Sequence, residues 1–314
     1  MKRLISLAVS LLILIVIYWK IDFSGLIKVF QNCNGWWMAI SLGMVLPLTL
    51  ITAWRLQQLM PSGARLEFDE AIRLILAASV LNMVLPSKMG DIAKAYFMKQ
   101  RGHLDGSLSL SLVVFEKACD MLSLLLWCVF GLMLYPSKNW LFWIMTSSVT
   151  LGLIIGILLL SSRKFASLFF IIGKAFSSKK IKFKLQKLQI SWQEMYTYFW
   201  RDKAQLIKIT CTSVLLWFLH LLQIWFFILA LKAWTPFIAN LALAPLAILA
   251  GLLPLTFAGV GTRDAALIAF YQPYFNAPTA AALGLLCTSR YLLPAIGGMP
   301  FLGQYMTTVR KLQR

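Results

Sequence analysis

Four charged residues stand inside runs that are otherwise apolar: Glu116, Lys117 and Asp120 between Ser107 and Tyr135, and Arg290 between Thr279 and Phe301. A charge at the centre of a bilayer costs roughly 2.5 to 3.5 kcal/mol on insertion scales, so such residues persist where they are paired or bind something. Counting about 1.5 Å per helical residue, Glu116 lies roughly 14 Å beyond Ser107 and Arg290 roughly 18 Å beyond Pro278. Both then approach the midplane, from opposite sides. Glu116 and Asp120 share one helix face, where two carboxylates repel unless a cation stands between them. Lys117 can reach Asp120 from three residues away, and Arg290 is the natural partner for Glu116. Two readings stay open: a charge cluster beside a substrate headgroup or coupling ion, and a structural ion pair that fixes helix packing.

A second set of residues lies at matched interruptions of apolar sequence. Leu85, Pro86, Ser87, Lys88, Met89, Gly90 and Asp91 form the first; Leu253 and Pro254, then Gly259, Val260, Gly261, Thr262, Arg263 and Asp264, form the second. Gly90 lies 15 residues before Asp105 and Gly261 lies 15 before Asn276, and each of these polar residues opens a long apolar run. Paired breaks in the two halves of a membrane chain point to a transporter-type binding site near mid-bilayer. Gly90, Gly259 and Gly261 would let backbone N–H groups at half-helix starts face a cavity, and such ends favour anions. Lys88, Asp91 and Lys94 in one half and Arg263 and Asp264 in the other add charged side chains at the same places. A lipid phosphate is the obvious anion; helix breaks made only for packing are the other reading. No HExxH, GxSxG, phosphate-loop or Cys/His metal pattern occurs, so no catalytic set, metal site or cofactor is expected.

Such a site needs a membrane scaffold, and the composition supplies one. With 60% hydrophobic and only 13% charged residues the chain lies outside the soluble-domain range. Its 314 residues fit one polytopic domain, with no polar block large enough for a separate soluble catalytic domain. The expected spans are Leu4 to Trp19, Trp36 to Trp54, Ser107 to Tyr135, Trp140 to Leu160, Leu206 to Leu231 and Thr279 to Phe301. Tryptophans at several run ends suit the lipid–water boundary. Lys2 and Arg3 precede the first span without a small-residue cleavage site after it, so that span reads as an uncleaved signal anchor. Four of the five cysteines sit within apolar segments and read as packing residues.

Basic residues are retained in cytoplasmic loops. Between Ser161 and Lys208 stand 11 of the 30 lysines and arginines, which makes that loop cytoplasmic and directs the net charge of +19 to lipid headgroups rather than nucleic acid. Both termini are then cytoplasmic, and Arg55, Arg65, Arg73, Lys99 and Arg101 belong to cytoplasmic ends. The run from Ala71 to Met98 starts and finishes on the inner side as a re-entrant hairpin turned at Pro86 to Gly90, and the run from Phe237 to Tyr271 is its counterpart from outside. The expected fold is therefore an all-α polytopic membrane protein of six full spans and two re-entrant hairpins in an inverted repeat; eight crossings are the alternative. The chain divides into a signal anchor and external linker (1–35), a first half (36–160), a basic cytoplasmic loop (161–205) and an inverted second half (206–314). Within the loop, 179–200 alternates basic and apolar residues, as an interfacial helix or an ordinary loop helix would.

Asn82 with Leu85, Pro86, Gly90 and Asp91, then Glu116, Lys117 and Asp120, then Leu253, Pro254, Gly259 to Asp264 and Arg290, resemble the lysylphosphatidylglycerol synthase transmembrane-region family. The resemblance covers about Trp36 to Gln304 and implies a flippase-like membrane domain, here a stand-alone member without the soluble aminoacyl-transferring domain. It also implies a substrate-binding role for Asn82. Lys117 stands where the family commonly has arginine, and Asp264 where glutamate is usual; lysine lacks the bidentate contact of arginine with phosphate. The expected function is a lipid flippase for a phospholipid or a polyprenyl-phosphate-linked glycan in a bacterial-type inner membrane, with no enzymatic activity. A non-catalytic partner or scaffold for lipid- or glycan-modifying enzymes is the alternative.

Overall fold

The computed structural model describes residues 23–61, 64, 66–84, 90–101, 104–135, 138–175, 179–252 and 261–312. The expected first span, Leu4 to Trp19, lies outside the described residues, as do Pro86, Lys88, Pro254 and Gly259. The described regular structure is all α-helical, and five of its helices are long and apolar enough to cross a membrane: Gly35–Leu59, Gly106–Leu134, Trp140–Ser161, Lys203–Ala230 and Ala277–Gly303. They coincide with the other five expected spans, and the chain is an all-α polytopic membrane protein. In chain order the helices are α1 (Phe23–Gln31), α2 (Gly35–Gly43), α3 (Val45–Leu59), α4 (Phe68–Val84), α5 (Gly90–Arg101), α6 (Gly106–Leu134), α7 (Trp140–Ser161), α8 (Arg163–Ala175), α9 (Lys179–Arg201), α10 (Lys203–Ala230), α11 (Phe237–Gly251), α12 (Thr262–Tyr271) and α13 (Ala277–Leu312).

Polar caps start the long helices. The Asn34 side chain accepts from Trp36 and Trp37 N–H, Asp105 from Ser107, Asn139 from Phe142, Asp202 from Gln205 and Asn276 from Thr279. Each carboxylate or amide oxygen satisfies an N–H that a first helical turn leaves without a partner. The two polar residues placed 15 after Gly90 and Gly261 are thus caps of α6 and α13.

The two interrupted runs form helical hairpins. Their arms have 17 and 12 residues in α4 and α5, and 15 and 10 in α11 and α12, each short of the roughly 20 residues that a crossing takes. Gly90 seats so closely on α4 that a methyl group there would overlap the Ala78 carbonyl oxygen. In the second hairpin Gly251 meets Arg263 near the tip, and the Tyr271 hydroxyl donates to Asn240 Oδ1 at 2.8 Å near the base. The bases lie at opposite ends of α6: the Lys99 side chain covers Gly106, whereas the Ala242 carbonyl rests on Gly131 and Phe270 packs against Tyr135. Twenty-five residues separate those glycines, a rise of about 37 Å. Helix α13 passes both hairpins, with Gly284 against Asp264 and Gly298 against Leu76 and Val80.

Because Gly131 admits the α11 backbone only for want of a side chain, Gly131→Leu should force α11 away from α6. A loss of about 1–3 kcal/mol is expected from overpacking, read as a lower unfolding temperature in detergent.

Helix α7 buries only Val149 and so presents apolar side chains outward almost all round. It runs back along α6, with Gly156 on Leu122 and Gly152 on Leu125. Extending that register brings Ser161 level with about Lys117, at 1.5 Å per residue in both helices. Glu116 and Lys117 consequently lie level with the last residues of α7. The first turns of α6 project past α7 and are covered instead by α9, which buries Trp192, Met195 and Phe199. Phe199 stacks on Phe115 at a centroid distance of 4.6 Å.

Candidate functional site

The centre of the first charge cluster is a residue that sequence reasoning placed at a cytoplasmic helix end. Arg55 is only 2% exposed on α3. Its Nη2 donates to Glu116 Oε1 at 2.9 Å and Asp120 Oδ2 at 3.2 Å, and its Nη1 to Ser213 Oγ at 2.7 Å and to Asp120 Oδ1. A guanidinium fork suits this task, since it meets two carboxylates at once. The expected pairing of Glu116 with Arg290 is therefore corrected: Glu116, 1% exposed, is held by Arg55 and by Lys94 from α5. The signal for Arg55 was its register, because it shares a helix face with the buried Leu48 and Leu59 of α3.

Asp91, Lys94, Glu116, Lys117 and Asp120 do come together. Lys117 Nζ lies 3.2 Å from Asp91 and 3.8 Å from Asp120, the latter across one helical turn as expected. Asn82 Nδ2 stands 3.5 Å from Asp91 Oδ1, while Asn82 Oδ1 has no partner among the described residues. Three cations (Arg55, Lys94, Lys117) thus face three carboxylates (Asp91, Glu116, Asp120) across α3, α5 and α6. Arg55, Lys94 and Glu116 are buried, whereas the Lys117 side chain is 45% exposed; each buried charge has an opposite one within reach, since an unmatched charge there would carry its full desolvation penalty.

The second cluster caps α12. Gly261 has φ 102°, a left-handed conformation that glycine adopts without a steric penalty, and its N–H donates to Asp264 Oδ2 at 3.0 Å. Arg263 Nε and Nη2 reach Asp264 Oδ1 at 3.0 and 2.7 Å, and Nη2 also reaches the Gly284 carbonyl and Thr288 Oγ1. Arg263 and Asp264 therefore bind the second hairpin to α13 and neutralise each other.

Arg290 belongs to neither cluster. It is 4% exposed on α13, six residues or about 9 Å after Gly284 and eight residues or about 12 Å before Gly298, between the contacts of the two hairpins. Its Nη2 donates to the Tyr291 hydroxyl at 2.9 Å and its guanidinium lies 4.9 Å from that ring, but Nε and Nη1 have no partner among the described residues. No carboxylate is paired with it among the described residues. Two buried, unpaired N–H donors of a permanent cation are costly unless an anion is to meet them.

Known proteins match this chain along most of its length. A UPF0104 membrane protein of Methanocaldococcus jannaschii is 23% identical over 321 aligned positions, covering 95% of this chain and 93% of that protein. The lysylphosphatidylglycerol synthase TM region matches residues 3–298. That stretch contains both hairpins, the six-charge cluster and Arg290, and the chain belongs to the lysylphosphatidylglycerol synthase transmembrane-region family.

Proposed function

We propose that this protein is a carrier, not an enzyme, that moves an amphiphile with an anionic headgroup between the leaflets of a bacterial-type inner membrane. The amphiphile is a phospholipid or a polyprenyl-phosphate-linked glycan. Arg290 carries the reading: a buried guanidinium with two donors that have no partner among the described residues, standing between two hairpins whose bases lie at opposite ends of α6. In this reading the hairpins are re-entrant, each dips from its own membrane face, and both chain termini are cytoplasmic. The phosphate is received at Arg290, with the acyl chains left in lipid. Rocking of one half against the other then exposes the headgroup alternately. Arg263 contributes by holding the second hairpin in place.

The test is translocation of a headgroup-labelled phosphatidylglycerol in proteoliposomes. Arg290→Ala should slow it about tenfold or more, the scale set by losing one charge-assisted hydrogen bond of 1.5–3 kcal/mol. Arg290→Lys retains the charge but not the fork and should fall between. Wild-type rates in both variants would refute the role of Arg290; translocation no faster than in protein-free vesicles would favour the scaffold.

A further inference from the structure

Helix α8 carries a surface that neither the charge clusters nor the hairpins use. Leu168, Phe169, Ile171 and Ile172 are 47, 49, 56 and 50% exposed on it, while Ala166 is buried. Leaving these four large side chains in water forgoes a hydrophobic contribution of about 1.5–3 kcal/mol for each one that could be buried. The helix follows directly on the outward-facing α7: Ser162 alone separates them, in an extended conformation, and its hydroxyl accepts from Phe165 N–H at 3.2 Å. In the turns of α7 that precede it, Ile154, Ile157 and Leu158 are exposed as well.

The charges around that face have one sign. Arg163 and Lys164 open α8 and Lys174 stands in its last turn. Between Ser161 and Lys208 the 11 basic residues meet only Glu194 and Asp202. Cations in a first turn oppose the helix dipole, so this end of α8 is left favourable to an external anion. Helix α9 fixes α8 in place: Lys174 Nζ donates to Gln189 at 2.7 Å, and Arg163 lies 4.9 Å over the Tyr196 ring. Through Phe199 on Phe115, α9 in turn packs on the turn of α6 that carries Glu116.

We propose that α8 lies in the plane of an anionic leaflet, with Leu168, Phe169, Ile171 and Ile172 among the acyl chains and Arg163, Lys164 and Lys174 at the phosphates. The geometry makes α8 and α9 a lipid-reading platform seated on the α6 end that bears the buried charges. This inference stands apart from transport and needs no substrate at Arg290.

A spin label on Ile172→Cys tests it in the full-length protein, with Cys33 and Cys211 replaced by serine; the other three cysteines are buried. Collisions with oxygen and with a water-soluble nickel complex are compared with those at Gln186→Cys, an exposed position on α9. In vesicles of mixed phosphatidylcholine and phosphatidylglycerol, the oxygen-to-nickel ratio at position 172 should exceed that at 186 severalfold. In phosphatidylcholine alone the ratio should fall, and the triple variant Arg163→Gln, Lys164→Gln, Lys174→Gln should lose this dependence on lipid charge. Nickel access at 172 equal to that at 186 would overturn the proposal, as would low collision rates with both reagents, which would mean that protein covers the face. A ratio unaffected by phosphatidylglycerol would overturn the anionic assignment.

Discussion

Replacing Arg55 with leucine should lower the unfolding free energy by about 3–5 kcal/mol, the usual consequence of removing one partner from a buried ion pair. The effect is large because Arg55 is shared. Glu116 would keep Lys94 and Asp120 would keep Lys117, but Asp120 would lose its closest cation and Ser213 its donor. Arg55→Lys should recover part of the loss, since an ammonium supplies the charge without the fork that meets both carboxylates. Thermal unfolding in detergent checks the order: wild type above Arg55→Lys above Arg55→Leu. Equal midpoints for wild type and Arg55→Leu would show that the cluster contributes nothing to stability.

The two buried arginines of the second half should respond oppositely. Arg263→Ala leaves Asp264 buried with the Gly261 N–H as its remaining hydrogen bond among the described residues, and frees α12 from the Gly284 carbonyl and Thr288. About 3 kcal/mol of stability should be lost, and translocation should fall with the folded fraction. Arg290→Ala removes a charge that balances no carboxylate among the described residues, so its unfolding midpoint should stay near that of wild type or rise. Measuring midpoint and translocation rate on the same preparations separates a residue that holds the fold from one that meets a ligand. A destabilised Arg290→Ala together with a stable Arg263→Ala would reverse the assignment.

The long helices were legible because each is an apolar run bounded by a tryptophan or a capping residue, and Asp105 and Asn276 mark their starts unambiguously. The hairpin arms were legible from proline and glycine, which interrupt helices for reasons local to the backbone. What could not be read was pairing between distant elements. Arg55 follows Trp54 at the end of an apolar run, where a basic residue facing cytoplasm and one facing a buried acid have the same local sequence. Only its i, i+4 and i, i+7 relation to Leu59 and Leu48 distinguishes them. Arg290 was correctly singled out as a charge in an apolar run, but assigning it to Glu116 used up the acid that Arg55 and Lys94 already neutralise.

The order of the six charges along the chain bears on how it is made. Ribosomes deliver α3 with Arg55 first, then α5 with Asp91 and Lys94, and only then α6 with Glu116, Lys117 and Asp120. Glu116 and Asp120 therefore emerge from the translocon after or together with the cations that will hold them, and only Asp91 precedes its partner, Lys117.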